Sequence, residues 1–227
     1  MSSRFFDESV DTYVATMRSR NFKARERAFA AAAKLARDRA GAEAVCVDIG
    51  VGTGYLSRAI ASVGFHVIGC DSSREMLKLA AETLPSADLH LGDAGEFLSA
   101  LPPESGDLVT CSSVLEYVPD PLSIVRLAAV ILRPAGVFAV SLPERLSISR
   151  LLDAPFLLRG PKESRYNKQW RNRLGGKKLE AAALESGLRL LYRERFGSFD
   201  RAGLRLPFER CRPIATLCLY VFERTSS

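Results

Sequence analysis

An acidic residue and three alternating glycines end the first strongly apolar run of the sequence. Asp48 lies in the run Ala44–Ile49, and Gly50, Gly52 and Gly54 follow it in a G-x-G-x-G pattern. Glycines at this spacing let the backbone turn tightly and approach a ligand closely, and the N-terminus of a following helix favours a carboxylate or a phosphate. Because an apolar run precedes the pattern and a helical pattern follows it, we interpret it as a cofactor-binding loop. A tight turn without any ligand is the alternative.

Two more carboxylates follow the next two apolar runs. Asp71 comes seventeen residues after Gly54, at a spacing where an acidic side chain can accept from both hydroxyls of a ribose. Asp93 follows the third run, and its carboxylate can accept from an adenine amino group while Met76 and Ala94 flank the ring. Both aspartates could instead cap the helices that begin after them.

The three acids together indicate which cofactor fits. A nicotinamide dehydrogenase would show G-x-G-x-x-G, but Tyr55 stands where the last of those glycines would fall. Asp48 suits a ligand that carries an ammonium group. A cofactor with an amino-acid end and an adenosine end therefore accounts for the acids at positions 48, 71 and 93 at once.

Two later segments resemble a known family. Residues 111–121 read Cys-Ser-Ser-Val-Leu-Glu-Tyr-Val-Pro-Asp-Pro, and residues 132–138 read Leu-Arg-Pro-Ala-Gly-Val-Phe. They are similar to the LEHVPDP and LKPGG segments of ubiquinone-biosynthesis-type O-methyltransferases and related small-molecule enzymes, within class I S-adenosylmethionine (SAM)-dependent methyltransferases. The resemblance covers residues 44–142 by motif. Tyr117 stands where those relatives often have His, which removes the most obvious general base, and Ala135 replaces the first glycine of a turn.

The resemblance implies methyl transfer from SAM, with S-adenosylhomocysteine (SAH) as the product, to an oxygen or nitrogen atom of a small-molecule acceptor. The residues expected to bind the cofactor are Tyr13, Arg18, Asp48, Gly50, Gly52, Gly54, Asp71, Ser72, Met76, Asp93, Ala94 and Ser112. Tyr13 and Arg18 would close over the methionine end from the N-terminal helices. A phenol acceptor would benefit from a base, for which the candidates are Glu116, Tyr117 and Tyr166. An amine that binds unprotonated would need none.

Strand-like and helical patterns alternate along most of the chain. The runs expected to be strands are residues 44–49, 65–70, 87–91, 107–111, 136–142, 188–196 and 214–223. This alternation predicts an α/β fold with a doubly wound, Rossmann-like sheet covered by helices on both faces. The resemblance adds that the sheet has seven strands, mostly parallel with an antiparallel last strand. We expect an N-terminal helical cap at residues 1–43, a SAM-binding core at 44–227, and an insertion at 144–174 over the active-site mouth.

The composition is that of one ordinary globular domain of 227 residues. No apolar run reaches the roughly 20 residues that span a membrane, and the N-terminus lacks a signal-peptide core, so we expect a cytoplasmic protein without a transmembrane segment. The five cysteines show no C-x-x-C spacing, which favours buried reduced thiols and no metal site. His66 and His90 lie in short apolar runs and are expected in or near the core.

Basic residues are concentrated in the C-terminal part. Residues 145–212 contain 17 Lys and Arg against 7 Asp and Glu. Such a region could face an anionic acceptor, an acidic carrier protein, anionic lipid or nucleic acid, or could be only a solvated face.

Two other classes of function stay open from the sequence. One is a catalytically silent SAM-sensing module whose basic region binds a partner. The other is an RNA or protein methyltransferase, although the sequence has no N/D-P-P-Y-type motif and no basic tract interleaved with aromatic residues, so no nucleic-acid partner is expected.

Overall fold

The computed structural model describes residues 3–17, 19–144, 169–197, 200–201, 204–205 and 215–225. Two predicted site residues, Arg18 and Tyr166, and most of the predicted insertion lie outside these residues. Within them the helices are α1 (Ser3–Asp7), α2 (Val10–Thr16), α3 (Arg20–Arg37), α4 (Tyr55–Ala61), α5 (Arg74–Thr83), α6 (Ala94–Ala100), α7 (Pro121–Ile131) and α8 (Gly176–Glu185). The strands are β1 (Ala44–Ile49), β2 (Phe65–Asp71), β3 (Asp88–Leu91), β4 (Gly106–Ser112), β5 (Leu132–Pro143), β6 (Leu188–Phe196), β7 (Asp200–Arg201), β8 (Leu204–Arg205) and β9 (Leu217–Arg224).

Seven of the described strands form one mixed sheet in the order β3-β2-β1-β4-β5-β9-β6, which confirms the predicted fold. Strands β1 to β5 pair in parallel, and β9 pairs antiparallel with both β5 and β6. The central strand β4 is buried on both faces until its last residue, as expected for a parallel strand between two helical layers. The carboxyl ends of β1 to β5 therefore meet at one edge of the sheet, where ligands bind in open α/β folds.

Each face of the sheet carries its own apolar core. Helices α6, α7 and α8 contribute to one core, and α3, α4 and α5 contribute to the other. Helix α3 presents Ala28, Ala32, Ala33 and Ala36 together with Phe29 to the sheet side, and the small alanine side chains let the helix lie close to the strands. Helix α3 thus forms part of the core layer, whereas α1 and α2 are the part of the predicted cap that lies over the sheet edge.

Local capping fixes where several helices begin. Ser19 Oγ accepts from the backbone N–H of Phe22 at the start of α3. Asp120 Oδ1 accepts from the N–H groups of Leu122 and Ser123, each at 3.1 Å, at the start of α7. Pro121 is the first residue of α7, where its missing N–H costs nothing. The cap at Asp120 and the proline that follows it explain why α7 begins at Pro121.

The described cysteines are buried as the sequence predicts, whereas the histidines are not. Cys46, Cys70, Cys111 and Cys218 are buried and free, as predicted, and Cys211 lies outside the described residues. The prediction for the histidines is wrong, because His66 and His90 are both exposed. His66 Nε2 lies 2.8 Å from Asp88 Oδ2 on β3, which is an edge strand of the sheet.

No helix in the described part of the chain is long and apolar enough to cross a membrane. Among the same residues, no group of three or more His, Cys, Asp or Glu side chains could hold a metal ion.

Candidate active site

A cavity of about 910 Å³ opens at the carboxyl edge of the sheet. Its walls come from the glycine loop, the ends of β2, β3 and β4, the helices α1 to α3, and Trp170. Most of the predicted site residues line it: Tyr13, Gly50, Gly52, Asp71, Ser72, Met76, Asp93, Ala94, Ser112, Glu116 and Tyr117. Asp48 lines only a small adjoining cavity, and Gly54 lines neither.

The glycine loop crosses the carboxyl end of β1 and is tied to β2. The N–H groups of Gly50 and Val51 both donate to Cys70 O at 2.9 Å. Gly50 has φ +72°, and a Cβ there would collide with Val114 Cγ2, so glycine is required on two counts. Gly54 has φ +75°, and its Cβ would lie 2.9 Å from Leu84 Cδ1. Gly54 thus allows α4 and α5 to pack closely, rather than facing the cavity.

Asp48 is buried behind the glycine loop. One carboxylate oxygen accepts from Thr110 Oγ1 at 2.6 Å, and the other accepts a short hydrogen bond from Ser57 Oγ. Burial raises the pKa of this carboxyl, and the two hydroxyl donors oppose the rise. Both oxygens are already engaged by hydroxyls, so the carboxylate links the end of β1 to α4 and β4 and contributes negative potential beneath the loop.

Asp71 connects the glycine loop to the start of α5. Its Oδ2 accepts from Gly52 N and its Oδ1 from Ser73 N, both at 2.9 Å. Burial raises the pKa of Asp71, the backbone donors lower it, and the nearby Asp7 raises it further. The carboxylate lines the large cavity at the end of β2, in the position expected for a ribose-binding acid.

Asp93 caps a helix and also lines the cavity. Its Oδ1 accepts from Gly95 N at 2.8 Å and caps α6, while the exposed side chain lines the cavity. Met76 and Ala94 are buried beside it. Leu91, which the sequence analysis missed, is 48% exposed in the same wall. This apolar surface next to a carboxylate suits a planar ring that carries an amino group.

The N-terminal helices roof the glycine loop. The Tyr13 hydroxyl lies 3.7 Å from where a Cβ of Gly52 would be, and burial raises the pKa of Tyr13. The rings of Phe22 and Tyr55 meet edge to face at 5.5 Å. Tyr13, on α2, therefore lies against the glycine loop, and its contact with the methionine end of the cofactor stays a prediction.

Arg25 is a second site residue that the sequence analysis missed. Its guanidinium lies 5.7 Å from the centre of the Phe22 ring, and it lines both the large and the small cavity. Arg25 Nε and Ser112 Oγ are buried, and among the described residues neither has a hydrogen-bond partner. Buried polar groups without a partner among the described residues are candidates to bind a polar ligand. The amino-acid end of SAM, with a carboxylate and an ammonium group, fits them.

The opposite side of the cavity is formed by the short 3-10 helix Leu115–Tyr117. Glu116 is buried there, and the Tyr117 ring packs edge to face on Phe6 at 5.4 Å. Asn172 Nδ2 donates to Leu115 O at 2.6 Å and to Val118 O at 2.8 Å. The described end of the predicted insertion thus contacts the mouth of the site.

Comparisons with known proteins agree with this geometry. Residues 47–140 match a family described as a methyltransferase domain. The ubiquinone biosynthesis O-methyltransferase of Ralstonia nicotianae is 42% identical over 100 residues, which cover 40% of this chain and 39% of that protein. The one from Thiobacillus denitrificans is 40% identical over 110 residues, 47% of either chain. The chain therefore matches less than half the length of these curated relatives.

Solved structures match over nearly the whole chain. A SAM-dependent methyltransferase from Archaeoglobus fulgidus superposes with a TM-score of 0.70 at 17% identity, covering 93% of this chain and 99% of that one. A possible histamine N-methyltransferase from Thermotoga maritima gives 0.65 at 18% identity, covering 98% and 99%. Residues 47–140 therefore match a methyltransferase domain, and the chain has the fold of SAM-dependent methyltransferases, which confirms the resemblance read from its motifs.

Proposed function

We propose that this protein is a SAM-dependent methyltransferase that methylates an oxygen or nitrogen atom of a small-molecule acceptor. The observation that carries the proposal is the combination, in one cavity, of a strand-end carboxylate with two buried polar groups that lack a partner among the described residues. Asp71 suits a ribose, and Arg25 with Ser112 suits an amino acid. A cavity of about 910 Å³ is also large enough for a cofactor and a small acceptor together.

Each part of the cofactor has candidate partners in the cavity. Arg25 would pair with the carboxylate, and Ser112 with the amino-acid end. Asp71 would accept from the ribose hydroxyls. Asp93 would accept from the adenine amino group, with the ring between Met76 and Leu91. Bound in this way, SAM supplies an electrophilic methyl group on a sulfonium.

The remaining walls would orient the acceptor and exclude water. Much of the rate of a methyl transfer comes from holding the reacting atoms at near-attack distance, worth up to about 7–11 kcal/mol in favourable cases. Phe6, Tyr117 and Trp170 offer apolar faces for this purpose. Glu116, whose buried carboxyl lines the cavity, is the candidate to hold the acceptor proton. Tyr117 and Tyr166 remain weaker candidates for the same role.

The acceptor class follows from charge and from relatives. The curated relatives are named as O-methyltransferases of ubiquinone biosynthesis, which supports an oxygen acceptor. The excess of Lys and Arg in residues 145–212 supports an acceptor that is anionic or attached to an acidic carrier. The four described cysteines are free and buried, which is typical of a reducing compartment and supports a cytoplasmic location.

Binding and turnover tests separate this proposal from its alternatives. Calorimetry should give saturable binding of SAM and SAH to the purified chain, and no binding would refute the proposal at its first step. Tritiated SAM should then label a small-molecule extract and leave RNA and protein pools unlabelled. Tight cofactor binding without label in any pool would favour a silent SAM-sensing module. Label confined to RNA or protein would favour a macromolecular methyltransferase.

A further inference from the structure

Helix α1 is anchored to the core through the carboxylate of Asp7. Asp7 Oδ1 accepts from Ser73 Oγ at 2.6 Å and from the backbone N–H of Glu75 at 3.2 Å. Asp7 also lines the large cavity. The contact brings together residues far apart in sequence, and it adds a second acceptor to the N-terminus of α5, where orphan N–H groups and the helix dipole favour a carboxylate.

Ser73 connects this contact to the ribose carboxylate. Its hydroxyl accepts from Met76 N at 3.1 Å as the N-cap of α5, and donates to Asp7. Its own backbone N–H donates to Asp71 Oδ1 at 2.9 Å. Ser73 is fully buried. A change in the position of Ser73 therefore changes the position of Asp71.

We propose that Asp7 is a positioning residue for cofactor binding: by holding Ser73 at the start of α5, it fixes the orientation in which Asp71 meets the ribose. This inference rests on the proposed function, because it presumes that Asp71 binds a ribose. It assigns to α1, which the matched methyltransferase domain at residues 47–140 does not include, a role in cofactor affinity.

Asp7 could act through its negative charge or through its acceptor oxygen, and the electrostatics of the site separate the two. Asp7 and Asp71 repel each other, and this repulsion contributes to the raised pKa of Asp71. A negative charge at position 7 is therefore unfavourable for Asp71, whereas an oxygen acceptor at position 7 is what Ser73 and Glu75 require. Asparagine keeps that acceptor and removes the charge; alanine removes both.

The test compares SAH affinities by calorimetry. D7A should weaken SAH binding about five- to tenfold, the size typical of a lost helix-cap acceptor, whereas D7N should stay within about twofold of wild type because its amide oxygen can still accept. D11A is the matched control, because Asp11 is an exposed acid on α2, in the same N-terminal region. It should bind SAH like wild type.

A ribose-specific measurement separates positioning from general loosening of α1. The ratio of affinities for SAH and for its 2′-deoxy analogue should fall in D7A and be unchanged in D7N and D11A. If D7A binds SAH like wild type, weakens both ligands equally, or is matched by D7N, Asp7 does not position Asp71. If the wild-type chain does not bind SAH at all, the proposed function itself fails, which is a distinct result.

Discussion

Replacing Arg25 with methionine should change stability and cofactor affinity in opposite directions. Arg25 Nε is buried and has no partner among the described residues, and a buried unsatisfied donor costs about 1–3 kcal/mol. Methionine keeps an apolar stem of similar length and removes that donor. The free energy of unfolding of the ligand-free R25M protein should therefore equal or exceed that of wild type.

The same substitution should weaken SAH binding strongly. A hydrogen bond to a charged group contributes about 1.5–3 kcal/mol, which corresponds to a loss of about 10- to 150-fold in affinity. Methylthioadenosine has the adenosine part of SAH without the amino-acid end, so its affinity should be unchanged in R25M. Titration calorimetry with both ligands and a denaturant melt of the ligand-free protein give the three quantities.

Arg27 offers a matched control on the same helix. It is exposed, and its Nε donates to the carbonyl of Lys23 within α3. R27M should leave both affinities and the stability close to wild type. The reasoning is refuted if R25M binds SAH within threefold of wild type, or if methylthioadenosine loses as much affinity as SAH.

Three further predictions concern the acids and the basic region. D71N should weaken SAH binding at least tenfold, since the amide offers the ribose one acceptor fewer, and calorimetry measures this. D48N should raise the melting temperature at neutral pH, because the raised pKa of Asp48 means that its buried negative charge lowers the stability of the wild-type protein there. When the pH falls below that raised pKa, Asp48 is protonated and the wild-type protein no longer carries the buried charge. The difference in melting temperature between D48N and wild type, measured in parallel melts, should therefore vanish in acid. The acceptor KM should rise between low salt and about 1 M salt, where the Debye length falls to about 3 Å, while the SAH affinity changes little. An unchanged KM in steady-state assays would mean that the Lys and Arg excess of residues 145–212 is only a solvated face.

The sheet and the strand-end acids could be predicted because they are encoded locally. Short apolar runs that alternate with helical patterns define a parallel sheet, and its topology brings the residues after each strand to one edge. Asp71 and Asp93 could therefore be assigned to the site from their positions alone. The structure finds both on the wall of one cavity.

The features that sequence reasoning missed depend on tertiary contacts. Arg25 lies in a helix rich in Arg and Ala, and no spacing distinguishes it from its basic neighbours. The hydroxyls that occupy Asp48 come from α4 and β4, so the pairing requires the register of β1 with β4. His66 and His90 were misjudged because their apolar neighbours do not reveal that β3 is an edge strand.

The cofactor half and the acceptor half of the proposed site come from different parts of the chain, and this difference concerns specificity for the acceptor. The glycine loop, Asp71 and Asp93 belong to residues 47–140, the region that matches the methyltransferase family. Phe6, which packs on Tyr117, and Trp170 also line the cavity but lie outside that region. Relatives at about 40% identity match 40% to 47% of this chain. Residues that bind a shared cofactor contact the same molecule in every such enzyme, whereas the residues around the acceptor contact a different molecule in each. We therefore expect α1 and the segment at residues 169–174, together with Glu116 and Tyr117, to select the acceptor.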